Sequence, residues 1–91
     1  MKSWDDLRFV LAVSRTTSIK KAANSLGVNR STVLRRLSAY EKSLGVRLFE
    51  RLPTGYFPTP PGEEVVAIAE EMEQLVGDGE RRVAGQDIKL K

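Results

Sequence analysis

The chain has 91 residues, 41% of them hydrophobic and 30% charged, a composition that folds as one soluble domain with at most an appended element. It contains no cysteine and no histidine, which removes disulfides, thiolate or imidazole metal sites, and nucleophile–base pairs of the Cys-His or Ser-His kind. The net charge of +3 conceals a division: residues 1–60 hold eleven Lys or Arg against four Asp or Glu, while residues 61–91 hold four against eight. A basic front and an acidic back suggest one face for a polyanion and another for a different contact. Between Thr16 and Arg51 the excess is eight basic to two acidic residues. Composition alone leaves an ordinary solvated face as the alternative.

The segment MKSWDDLRFVLAV lacks the charge order of a secretory signal, and no run reaches the roughly 18 apolar residues of a membrane span, so a cytoplasmic location is expected. A first helix is predicted from Trp4 to about Arg15. Ser3 would cap it, and Asp5 and Asp6 lie in its first turn, where carboxylates interact with exposed amides and the positive end of the helix dipole. Trp4, Leu7, Leu11 and Ser14 recur at helical spacing, widened by Phe9, Val10 and Val13, and make this a core helix. Trp4 reads as a packing anchor rather than a ligand-stacking group.

From Ser18 to Gly45 the sequence SIKKAANSLGVNRSTVLRRLSAYEKSLG has the layout of a helix-turn-helix. Small Ala22 and Ala23 allow a second helix to cross closely, Gly27 supplies the left-handed conformation of the turn, and Ser18 and Asn29 cap the two helices. The second helix is expected to end at Leu26 and the third to run to Leu44, stopped by Gly45. Val33, Leu37, Tyr40 and Leu44, spaced 4, 3 and 4, should face the core. Arg30, Ser31, Leu34, Arg35 and Ser38 then face outward, with the chemistry to read DNA.

The passage VRLFERLPTGYFP carries Leu48-Phe49, a turn at Pro53-Thr54-Gly55, and Tyr56-Phe57, the pattern of a small two-stranded wing shortened by its prolines. Thr59-Pro60-Pro61-Gly62-Glu63-Glu64 is a helix start, with a hydroxyl cap, proline at the first position and acids in the first turn. The helix should reach Ala84, about 37 Å long. Val65, Ile68, Met72 and Leu75 step by 3, 4 and 3 as a heptad seam that continues to Val76 between acidic flanks, before Gly77 and Gly79 weaken the helix. A head of about sixty residues has a marginal core. The seam is therefore expected to pair with its copy in a second chain, the alternative being that the helix folds back on its own head.

These pieces together resemble the N-terminal DNA-binding region of LysR-type transcriptional regulators. The resemblance covers residues 4 to about 84 and rests on the DLRFVLAV helix, SIKKAANSLGVNRSTV, EKSLGVRLFER and TPPGEEV, in that order. It implies a mainly α fold: a winged helix-turn-helix over residues 1–58, a linker helix over 59–84 that pairs antiparallel with its partner, and residues 85–91 as the hinge and opening strand of a ligand-sensing domain. The chain would then be the DNA-binding fragment of a longer regulator that controls transcription at inverted-repeat sites on double-stranded DNA. Such a protein is a homodimer or, at full length, a tetramer, and its small-molecule effector is held by the further domain.

Carried over by position, the resemblance places Arg30, Ser31, Thr32, Leu34 and Arg35 at the bases. Ser18, Asn29, Arg36, Arg51 and Thr54 are the candidates for phosphate contacts, with ordinary solvent exposure the alternative for Arg36, and the seam places the dimer interface at Val65, Ile68, Met72, Leu75 and Val76. The family often has Gln where Arg30 stands and Ser where Leu34 stands; Arg favours guanine over adenine, and Leu offers a contact for a thymine methyl. A rival reading is a winged helix that binds a protein partner without touching DNA. No metal-ligand set, phosphate loop or acid–base pair argues for an enzyme or a cofactor.

Overall fold

The computed structural model describes residues 4–86, which leaves Ser3 and the segment with Ile88 and Leu90 outside the described residues. Helix α1 spans Trp4–Thr16, α2 Ile19–Leu26 and α3 Arg30–Leu44; strands β1 (Phe49–Leu52) and β2 (Gly55–Pro58) follow, and α4 (Pro60–Ala84) closes the order. The strands are antiparallel, with Phe49 opposite Pro58 and Leu52 opposite Gly55. This is the mainly α winged helix-turn-helix that the sequence predicts, with α1 one residue longer than expected.

Local chemistry sets each boundary. The Ser18 side chain accepts from the Lys21 amide, Asn29 from that of Thr32 and Thr59 from that of Gly62, so the cap of each later helix is a side-chain oxygen. Gly27 ends α2 in the left-handed region at φ 71°, and its amide and that of Val28 return to the last turn of α2.

The core lies where α1 meets α2, α3 and α4. Leu7, Val10, Val13, Val33 and Leu48 are the largest side chains wholly out of solvent, and Ala22 and Ala23 are buried where α2 is crossed. Tyr40 belongs to the same core, and burial pushes its phenol above the ordinary value, with the Asp6 charge adding to the effect. Leu44, assigned to the core by its spacing, is instead 37% exposed, because the last turn of α3 carries it past the elements that cover Tyr40.

The turn after α3 is held by a side chain. Glu41 Oε2 accepts the amide of Leu48 at 2.7 Å and that of Phe49 at 3.3 Å, fixing the start of β1 against α3. Glu41→Ala leaves both donors without this partner and is expected to cost about 2 kcal/mol, read in a denaturant titration, whereas Glu41→Gln keeps an acceptor and should lose less.

Helix α4 uses its first half on its own head. Gly62 and Ala69 are buried, and Val65, Val66 and Met72 pack against the core. Val65 and Met72, expected in a seam with a second chain, are thus packed within their own; periodicity gave their face but not what covers it. Ile68, Leu75, Val76 and Val83 remain at 39%, 68%, 45% and 69% exposure. Arg15 at the end of α1 forms a bidentate pair with Glu73, at 3.0 and 2.7 Å, which links α4 to α1 and holds the Glu73 carboxyl below its usual range.

Candidate nucleic-acid interface

The outward side of α3 is a polar surface with one apolar member. Arg30, Ser31, Leu34, Arg35 and Ser38 are all exposed, while Val33 and Leu37 anchor the opposite side in the core. Asn29 Oδ1 organises the first turn, accepting from the Thr32 amide at 2.9 Å, the Thr32 hydroxyl at 2.8 Å and the Ser31 hydroxyl at 2.8 Å. Both hydroxyls thereby donate within the protein, and Thr32 is half-buried. The Arg30 and Arg35 side chains carry the free donors of this surface, in the planar geometry that matches the O6 and N7 acceptors of guanine.

A groove runs between the wing and the corner joining α1 to α2, lined by Thr17, Ser18, Lys21, Arg51, Thr54 and Tyr56. The corner is fixed by an unusual backbone: Thr17 takes φ 54°, and its carbonyl accepts the Tyr56 amide of β2 at 2.9 Å. Gly55 approaches so closely that a Cβ there would stand 2.5 Å from the Thr17 oxygen, and at φ 142° only glycine is comfortable. The wing is thus docked on the helix-turn-helix. The Arg51 guanidinium lies over the Tyr56 ring, 5.9 Å from its centroid.

Three of the expected phosphate ligands, Ser18, Arg51 and Thr54, meet in this groove. Asn29 does not: it lies at the head of α3, exposed, with its Oδ1 engaged in the cap, so a partner there meets its Nδ2 donors and the α3 amides. Lys21 joins the groove though the sequence reading passed over it; its position three residues after the Ser18 cap, in the first turn of α2, was the available signal.

Arg36 has partners within its own chain. Its Nη2 bonds Asp5 Oδ2 at 3.2 Å and Asp6 Oδ1 at 3.1 Å, and its guanidinium stacks over Phe9 at 4.7 Å. The hydrogen bond to Asp6, more than any other influence, raises its pKa above the arginine norm. A phosphate would compete with two carboxylates for this guanidinium, of which Nη2 is engaged. Arg36 ties α3 to α1, and Asp5 and Asp6, read from sequence as helix-dipole acids, are its partners. Arg36→Ala is expected to lower stability by about 1 kcal/mol while leaving the salt dependence of duplex binding unchanged.

Among the described residues no helix is long and apolar enough to cross a membrane. Residues 4–63 match the family described as "Bacterial regulatory helix-turn-helix protein, lysR family". The chain is 36% identical over 89 residues to the small neutral protease regulatory protein of Streptomyces coelicolor, an alignment covering 93% of this chain and 27% of that protein. It is 44% identical over 57 residues to the Mau operon transcriptional activator of Paracoccus denitrificans, covering 63% of this chain and 20% of the relative. It therefore spans about a quarter of the length of such curated relatives.

Among solved structures it resembles the CbnR DNA-binding domain in complex with DNA, with a TM-score of 0.78 and 30% identity, covering 92% of this chain and 99% of that one. The BenM DNA-binding domain bound to the catB site 1 DNA gives a TM-score of 0.76 at 27% identity, again over 92% and 99%. With a match over 4–63 and the winged helix-turn-helix in place, the chain belongs to the lysR family of bacterial regulatory helix-turn-helix proteins.

Proposed function

We propose that this chain binds duplex DNA sequence-specifically and regulates transcription as the DNA-binding part of a dimer. The observation that carries this reading is the exposed face of α3, where Arg30 and Arg35 present unpaired guanidinium donors on a helix held rigid by its buried side and its Asn29 cap. In a helix-turn-helix this second helix enters the major groove. Arg30, Ser31, Thr32, Leu34 and Arg35 meet base edges. Ser18, Lys21, Arg51 and Thr54 hold a phosphate in the groove beside the wing, and the α3 amides next to Asn29 face another.

The exposed Ile68, Leu75, Val76 and Val83 supply the apolar surface through which two α4 helices pair, and that pairing spaces two heads on an inverted repeat. In a longer protein of the lysR kind, a further domain would carry the effector site and support assembly into a tetramer. Similarity to DNA-bound domains supports the choice of partner. The test is selection from random duplex DNA with the purified chain. Enrichment of an inverted repeat supports the proposal, and retention of no duplex refutes it.

A further inference from the structure

We infer that Leu34 reads the C5-methyl group of a pyrimidine in the major groove, so that the chain's target carries thymine, or 5-methylcytosine in its stead, at the base step beneath it. This rests on the reading above that α3 meets base edges. Leu34 is 42% exposed and stands on the polar side of α3, with Arg30 one turn before it, Ser38 one turn after and Ser31 and Arg35 beside it. The next large exposed apolar residue on the helix is Leu44, about 15 Å further along the axis. Along α3, Leu34 is thus a single large apolar group set among donors and hydroxyls rather than one of a row. Its side chain leans toward the N-terminal end of α3, the end that carries Arg30 and Ser31.

Chemistry then narrows what can lie against it. Leucine has no donor or acceptor, so any base edge it covers loses water and gains no hydrogen bond. Guanine and adenine present N7 and a polar 6-substituent in the major groove, and unmodified cytosine presents its amino group beside a bare C5–H that does not project as a methyl does. The C5-methyl of thymine is the one projecting apolar group there, and 5-methylcytosine presents the same methyl on a C·G pair. Leu34 therefore selects by rejection as well as by contact, while the neighbouring Arg30 and Arg35 supply the donors for guanine.

The experiment takes a duplex selected from random DNA and replaces each thymine in the half-site singly by uracil, which removes only the methyl. Wild-type chain should bind one such duplex about fourfold more weakly, the effect of one buried methyl group. Leu34→Ser, at an exposed position, should keep its thermal midpoint and show no difference between thymine and uracil at that place. A second arm puts cytosine or 5-methylcytosine at the same position. Wild type should prefer the methylated form by about the same factor, and Leu34→Ser should not.

The inference is overturned if no uracil substitution has an effect that depends on Leu34, or if cytosine methylation changes nothing. A chain that prefers one sequence, through Arg35, yet is blind to every methyl leaves the base-reading role of α3 standing and removes this inference alone. A chain with no sequence preference removes both.

Discussion

Gly62→Ala is expected to destabilise the chain by about 3 kcal/mol and to lower its thermal midpoint by more than about 10 °C. An added Cβ would lie 1.9 Å from the Leu48 carbonyl oxygen and 2.9 Å from its carbon, and both are backbone atoms. Leu48 cannot retreat. Its carbonyl already accepts the Thr59 amide at 2.9 Å, its amide donates to Glu41, and its side chain is fully buried. The first turn of α4 must move instead, which loosens Val65 and Ala69 from the head. Gly79→Ala is the contrasting change, since nothing lies within 4 Å of its Cβ position. It should stabilise the helix by up to about 1 kcal/mol. Similar thermal midpoints for the two variants would mean that α4 is not seated on Leu48.

The second large effect separates base reading from phosphate holding. Arg35→Ala is expected to cost about 1 to 3 kcal/mol on the selected duplex and to relax preference at one base pair. Arg51→Ala, in the groove beside the wing, should weaken selected and scrambled duplexes alike and reduce the slope of log affinity against log salt by about 1.8, one counterion for each of the two heads. Anisotropy titrations with both duplexes at several salt concentrations distinguish them. Equal losses on both duplexes for Arg35→Ala would remove it from the bases. A loss confined to the selected duplex for Arg51→Ala would place that residue at a base.

The order and bounds of the helices were legible because their causes are local. Ser18, Asn29 and Thr59 are caps within three residues of the amides they serve, and the wing follows from a Pro-Thr-Gly turn between two short apolar runs. What was not legible depends on distance through space. Helical spacing tells which side of α4 is apolar, yet Val65 and Met72 face their own head whereas Leu75 and Val76 face solvent, a difference set by where the head ends. Arg36 looked like one more cation on a basic helix. Only the crossing of α1 over α3 brings Asp5, Asp6 and Phe9 to it, thirty residues away in the chain. Glu41 was visible as part of a motif, but its bonds to Leu48 and Phe49 follow from a turn whose path the sequence does not state. For the candidate interface, the α3 face followed from periodicity. The meeting of Ser18 with Arg51 and Thr54 needed the wing docked on Thr17.

The most direct test of the account is the affinity of the purified chain for its selected duplex as a function of salt concentration. If Lys21 and Arg51 of two heads each neutralise a phosphate, log affinity should fall with log salt at a slope of about −3.6, since each released counterion contributes about −0.9. The scrambled duplex should show a similar slope at lower affinity. A slope near zero, with retention of the selected duplex unchanged from low to high salt, would contradict the claim that this basic head grips the DNA backbone.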